Sequence, residues 1–178
     1  MEGIKMEMLL KKIENKNLED FMLIAKWYND PEILPYIKPR MSDEPLTMTD
    51  GVKMYERDKD NLSKERFFIT VEGKPIGVVS IDKAFEDLIS EKKSTAWISI
   101  CIGEKEYWGK GLSKTAMKLL EEECKSQGFK GIELGVFEFN ERAIGLYKGM
   151  GYEEIGFVPD FTLYNAKWYK DIRMYKSI

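Results

Sequence analysis

Two segments carry residue types at spacings that suit chemistry. The first is Ile102-Gly103-Glu104-Lys105-Glu106-Tyr107-Trp108-Gly109-Lys110-Gly111-Leu112-Ser113-Lys114. A run of β-formers leads into it and an amphipathic helical pattern leads out. Gly109 and Gly111 let the backbone turn sharply and approach a ligand closely. The helix start then offers unpaired N–H groups and a partial positive charge, which together suit a phosphate or pyrophosphate. Ser113, Lys114 and Thr115 can add donors. A P-loop is excluded, because the second glycine it needs would fall on Trp108 and Lys110 is followed by Gly111. A dinucleotide fingerprint is excluded too, because its third glycine would fall on Lys114. On spacing alone, a plain strand-to-helix turn stays open as the alternative. The second segment runs from Val136 to Tyr152 and places Asn140, Ala143, Tyr147, Gly151 and Tyr152 around a short helical stretch.

Composition narrows the chemistry further. The chain has 178 residues, 43% hydrophobic and 33% charged, an ordinary globular mix for which one domain over 1–178 is expected. Histidine is absent, which removes Ser-His-Asp triads, Cys-His pairs, His-based zinc sites and His general bases. Lys+Arg is 28 against Asp+Glu 31, a net charge of −3, so no basic surplus serves nucleic acid. Cys101 and Cys124 are the only cysteines, too few for a disulfide framework and without a CxxC pair for metal or redox work. No metal site is expected. Residues 1–5 carry no apolar stretch, and no apolar run approaches the roughly 20 residues of a membrane helix. A cytoplasmic location, with no membrane partner and reduced thiols, is the expectation.

The elements that must position these segments alternate. Met6 to Ile13 reads as a strand. Leu18 to Trp27 reads as a helix capped by Asn17. Pro31, Pro35, Pro39 and Pro45 leave room only for short helical turns. Thr49 to Leu62 suits a charged helix. Phe67–Val71 and Ile76–Ile81 form a hairpin about Glu72-Gly73-Lys74. Ala84 to Ser94 reads as a polar surface excursion, and Thr95 to Ile102 as a strand. Leu112 to Gln127 is an amphipathic helix whose buried face is Leu112, Ala116, Leu119, Leu120 and Cys124, with Gly128 as its stop. Ile132–Phe137 is a strand, Asn140–Met150 a short helix, and Tyr152–Leu163 with Trp168–Tyr175 a closing strand pair. This order predicts a mixed α/β sheet.

The region from about Trp97 to Tyr152 resembles the GCN5-related N-acetyltransferases, the GNAT superfamily, and within it the ribosomal-protein-alanine and polyamine N-acetyltransferase branch. The family loop Gln/Arg-x-x-Gly-x-Gly/Ala falls on Trp108-Gly109-Lys110-Gly111-Leu112-Ser113, with Trp108 and Ser113 departing from the pattern. Asn140, Ala143, Tyr147 and Gly151-Tyr152 stand at the spacing of its second motif. Weaker echoes lie at Trp27-Tyr28-Asn29-Asp30-Pro31 and over Lys167 to Met174.

The resemblance implies a GNAT fold: a mixed, mostly antiparallel central sheet, flanked by helices and splayed at an acetyl-CoA slot. It implies acetyl transfer to a primary amine by direct attack in a ternary complex. Acetyl-CoA is then the co-substrate, and the acceptor a small-molecule amine or a peptide N-terminus. The strand before the loop would bulge, so that Ile100, Cys101 and Ile102 pair with pantetheine and polarise the acetyl oxygen. Trp108 through Lys114 would hold the pyrophosphate. Asn140 would bind the pantetheine arm, cap its helix, or do both. Tyr147 would protonate the departing thiolate. For the general base, Asp82 and Glu104 are the candidates. Cys101 is read as an inert strand thiol rather than a nucleophile. Asp30, Glu32, Asp82, Glu86 and Asp87, with Tyr28, Tyr36, Phe85 and Trp97, would favour a cationic acceptor. A homodimer is compatible with this reading. Two rival functions remain: an acyl-CoA sensor without turnover, and a nucleotide-phosphate-binding regulator.

Overall fold

The computed structural model describes residues 7–14 and 17–178. The expected absence of a leader at residues 1–5, and the expected strand start at Met6, lie outside the described residues. Seven strands form one sheet. In chain order they are β1 (Met8–Lys12), β2 (Lys64–Val71), β3 (Lys74–Asp82), β4 (Thr95–Ile102), β5 (Gly131–Phe137), β6 (Glu153–Tyr164) and β7 (Lys167–Ser177). Their spatial order is β1-β2-β3-β4-β5-β7-β6, and only the β4–β5 pair is parallel. The described residues also form five α-helices, α1 (Leu18–Tyr28), α2 (Leu34–Ile37), α3 (Gly51–Asp58), α4 (Leu112–Ser126) and α5 (Glu141–Gly149), and a 3-10 turn at Lys105–Tyr107.

Local sequence explains the helix boundaries. Asn17 Oδ1 accepts from Glu19 N, and Asp50 Oδ1 accepts from Val52 N and Lys53 N, so α1 and α3 start on side-chain caps. The expected Thr49–Leu62 helix is shorter, because Asp50 fixes its start and the helical turns end at Asp58. The proline stretch holds one short helix, with Pro35 in its first turn. Helix α4 ends before Gly128, whose φ is +88°. Its buried face carries Ala116, Met117, Leu120 and Cys124; Met117 takes the place expected for Leu119, which is half-buried.

Side-chain alternation sorts the sheet into two faces. Ala96, Ile98, Ile132, Leu134, Val136, Ile172 and Met174 pack with α4 and with Tyr147 of α5. Phe68, Val78 and Cys101 point to the other face, where Phe21, Ile24 and Trp27 of α1 and Met54 of α3 cover them. That second face also buries Asp58 against Arg66 at 2.6 Å, with Arg57 on the same carboxylate.

Among the described residues no helix is long and apolar enough to cross a membrane.

Candidate active site

The sheet opens at its centre. Strands β4 and β5 pair only over Thr95–Trp97 with Gly131–Glu133. Beyond that they diverge, and the β5-facing edge of residues 98–102 has no strand partner. The expected splay is present, but the expected bulge in β4 is not. Its register with β3 is unbroken from Gly77↔Ile102 to Asp82↔Trp97, and the irregularity falls instead on β3, where Ile76 is the extra residue between Ile69↔Gly77 and Thr70↔Pro75. Close approach holds the β3–β4 register: a Cβ at Gly77 would lie 2.3 Å from the Cys101 carbonyl oxygen.

The gap opens into a cleft of about 1330 Å³, lined by β4, the glycine loop, the starts of α4 and α5, α2 and its flanks, and parts of β5 to β7. Pockets for small ligands run to roughly 300–1,000 Å³, so this space suits two molecules meeting.

At one end, Gly109 and Gly111 take left-handed φ values of +74° and +73°, and Gly111 caps α4 through its backbone alone. Ser113 and Lys114 line the cleft beside them. Trp108 anchors the loop, its Nε1 donating to the Ile102 carbonyl at 2.9 Å. That hydrogen bond engages an acceptor that the sequence had assigned to pantetheine. Ile100, Cys101, Ile102, Trp108, Gly109, Gly111, Leu112, Ser113, Lys114, Asn140 and Tyr147 all line this cleft. Lys110 is not among the lining residues; its ammonium lies 5.3 Å from the Tyr107 ring centre.

Asn140 Oδ1 accepts from Ala143 N at 3.2 Å, capping α5. The cap uses the oxygen and leaves the amide donors for a ligand. Tyr147 is 8% exposed, and burial pushes its phenol up to about 12, so it stays protonated and able to donate at neutral pH. Burial also pushes the Cys101 thiol up to about 12, which keeps it from acting as a thiolate nucleophile.

Neither expected general base reaches the cleft. Asp82 ends β3, and its Oδ1 accepts from Ala84 N in a local turn. Glu104 accepts from Trp27 Nε1 at 2.9 Å. That indole lies flat against Gly103, where a Cβ would come within 2.1 Å of the ring, so Glu104 fixes a packing contact. Asp30 and Glu32 share the Lys105 ammonium, at 2.9 and 2.5 Å.

The carboxylate that sequence reasoning missed is Asp171, 4% exposed and lining the cleft. Its Oδ2 accepts from Arg173 Nε at 2.7 Å. Arg173 Nη1 reaches the Asp87 carbonyl and Glu133, and Glu133 accepts from Ile89 N and Ser90 N. Most of the 83–94 loop is exposed, as expected of a surface excursion, but this network ties it to the sheet, and Phe85 and Asp87 form part of the cleft wall. There Phe85 stacks on Trp97 at 4.2 Å, and the Arg173 guanidinium lies 4.7 Å from the Trp97 ring centre. Burial raises the Asp171 carboxyl above the usual aspartate value, against the pull of Arg173. A charged pair inside the Lys167–Ser177 strand was the available signal, since a buried strand tolerates charges only when they are partnered.

A seven-stranded sheet parted between β4 and β5, beside a left-handed glycine pair, places the chain among the α/β folds with a split central sheet. The same fold occurs in a Vibrio cholerae spermidine N-acetyltransferase solved with CoA and spermine, with TM-score 0.76, 20% identity, and 96% of this chain and 95% of that one covered. An aminoglycoside acetyltransferase in complex with coenzyme A aligns with TM-score 0.73 and 18% identity, covering 96% and 95%. At these identities the likeness is one of fold. An uncharacterized N-acetyltransferase of Methanocaldococcus jannaschii is 32% identical over 101 residues, which is 57% of this chain and 42% of that protein; the chain thus spans less than half the length of that relative. Residues 21–152 match the acetyltransferase (GNAT) family model, and the chain belongs to that family. The nucleotide-binding regulator is left without support.

Proposed function

We propose that this protein is an N-acetyltransferase that moves an acetyl group from acetyl-CoA to a primary amine by direct attack in a ternary complex. The parted β4–β5 pair carries this reading, because it lets two ligands meet from opposite faces of the sheet. Family membership and neighbours solved with CoA support the donor. Gly109, Gly111 and the α4 N-terminus bind the pyrophosphate, with Ser113 and Lys114 beside it. Asn140 donates to the pantetheine arm. The N–H groups of Ile100 and Ile102, which the ladder turns away from β3 toward the gap, polarise the acetyl oxygen. The amine nitrogen bonds the acetyl carbon as the C–S bond breaks. The ammonium gives one proton to water before it attacks; Tyr147 then gives its phenolic proton to the sulfur and is reprotonated, through water, by the second proton that the nitrogen loses, so that one proton in all is released to solvent. A cationic amine is favoured over an acidic one, since burying an ammonium near carboxylates is far easier than burying a second anion there.

Acetyl-CoA is expected to stabilise the fold by roughly 2.7 kcal/mol at about 100 times its Kd. Thermal melting with acetyl-CoA, CoA and ATP, followed by thiol release with a panel of amines, checks this. A flat titration at millimolar acetyl-CoA removes the donor, and binding without turnover of any amine favours the silent sensor.

Gly111→Val tests the loop. No described atom lies within 4 Å of a Cβ there, so the substitution meets no clash and acts through the left-handed φ. The strain of about 1–2 kcal/mol should lower Tm by roughly 2–8 °C. CoA affinity should fall about tenfold or more, because the reshaped turn no longer presents its N–H groups. Unchanged affinity in a folded variant would place the pyrophosphate elsewhere.

A further inference from the structure

The acceptor half of the cleft has an unusual chemistry. On the α1 face of the sheet, Phe85, Trp97, Phe137, Phe139, Phe161 and Tyr164 line its walls. Phe139 stacks on Tyr164 at 4.2 Å, as Phe85 does on Trp97, so these walls are braced ring on ring. Gly135 lies between them, and Asp171 crosses over it: a Cβ at Gly135 would stand 2.6 Å from Asp171 Oδ2 and 2.9 Å from the Trp97 ring. Among the described residues the only donor to the Asp171 carboxylate is Arg173, on Oδ2, which leaves Oδ1 unpartnered beside the cleft.

The other carboxylates here differ. Both oxygens of Glu133 accept backbone N–H groups of the 83–94 loop. Glu32 is paired with Lys105, and Asp87 and Glu141 are exposed. The buried acceptor half thus offers one carboxylate oxygen with no donor, surrounded by aromatic carbon.

Resting on the acetyltransferase reading, we propose that Asp171 Oδ1 holds the ammonium of the acceptor, and that the acceptor is a primary amine with one positive charge on an aryl or similarly apolar body. The aromatic walls take that body, and the ring faces that the Arg173 guanidinium does not already cover add to the hold on the cation. A polyamine would bring a second ammonium into the rings without a second buried carboxylate to meet it, at a desolvation cost. A dicarboxylic amine would place its anions against Asp171. Asp171 is almost wholly out of water, so solvent screens its pairing with an ammonium less.

The test uses the full chain with saturating acetyl-CoA and compares phenethylamine, spermidine and glutamate as acceptors. Phenethylamine should exceed both in kcat/KM by about tenfold or more. Asp171→Asn should lower kcat/KM for phenethylamine about 100-fold while leaving the Kd of acetyl-CoA unchanged. O-benzylhydroxylamine has the same shape but is uncharged at neutral pH, so the substitution should change its kcat/KM by less than about threefold. A purely structural role for Asp171 would depress both substrates equally and overturn the proposal. Spermidine or glutamate as the best acceptor of the wild-type enzyme overturns it without recourse to any variant. Direct titration of phenethylamine separates the two readings. Amine binding that Asp171→Asn abolishes supports Asp171 even where acetyl-CoA fails to bind, a failure that sinks only the donor assignment. Amine binding that survives in a folded Asp171→Asn protein overturns the anchor.

Discussion

Tyr147→Phe is expected to lower kcat by about 10²–10⁴-fold while the Kd of acetyl-CoA stays within about twofold of wild type. The ring belongs to the α4-face core and meets Tyr152 edge-on at 5.9 Å, contacts that Phe keeps. Only the hydroxyl is lost. Because burial pushes that hydroxyl up to about 12, wild-type Tyr147 holds its proton throughout the neutral range, so its donor capacity is constant there. The defect should accordingly be the same at pH 6 and pH 9 in single-turnover measurements. An unchanged rate of acetyl transfer would assign Tyr147 to packing alone. Water entering the space of the hydroxyl would move the loss toward the lower end of the range.

Asp58→Ala should destabilise the fold by about 3–5 kcal/mol, lowering Tm by roughly 6–20 °C. Asp58 is fully buried and holds Arg66 Nη2 at 2.6 Å, while Arg66 Nε and Nη1 have no hydrogen-bond partner among the described residues. Removing the carboxylate leaves a guanidinium in the core with nothing to answer its charge. Adding Arg66→Met should recover much of the loss, since an apolar chain of similar length fills the space without desolvating a charge. The pH dependence follows the same pair. Burial pushes the Asp58 carboxyl up, but the Arg57 hydrogen bond and the two arginine charges outweigh it, and the folded value lies below the usual aspartate range. The native state therefore favours the ionised form. Its contribution is complete above the unfolded value of about 3.9 and is lost as the pH falls through the lower folded value. Denaturant titrations from pH 6 down to pH 2 should show a shallower acid loss for Asp58→Ala than for wild type. Equal slopes would mean that other carboxylates carry the acid sensitivity.

The sequence displays what depends on short-range pattern. The β4 boundaries, the α4 start at Leu112 and the Asn140 cap follow from β-formers, glycines and capping residues within a few positions of each other. The glycine loop is legible for the same reason: its backbone needs left-handed φ at Gly109 and Gly111, and only residue type reveals that. The acceptor half is a different matter. Phe85, Trp97, Gly135 and Asp171 come together through a loop, two parted strands and β7, and no spacing along the chain encodes that meeting. Glu104 misled because it follows the cofactor strand directly, yet the Trp27 indole claims its carboxylate from 77 residues away. Asp82 misled because it sits at a strand end, but that end points away from the gap. Strand charges at Glu133, Asp171 and Arg173 were readable as needing partners; which of them keeps an oxygen free was not.

The alternation of side chains along β4, β5 and β7 has a consequence for how such a protein diversifies. Ile98, Val136 and Ile172 turn to the α4 face, while Trp97, Gly135 and Asp171 turn to the other. Under the proposed function, neighbouring codons thus serve the acceptor half of the cleft on one face and the core beneath α4 on the other. A point substitution at one of the latter positions can retune the choice of amine without disturbing the residues behind the thioester. Drift in acceptor range and retention of the acyl donor are therefore separable traits, written in alternate letters of the same strands.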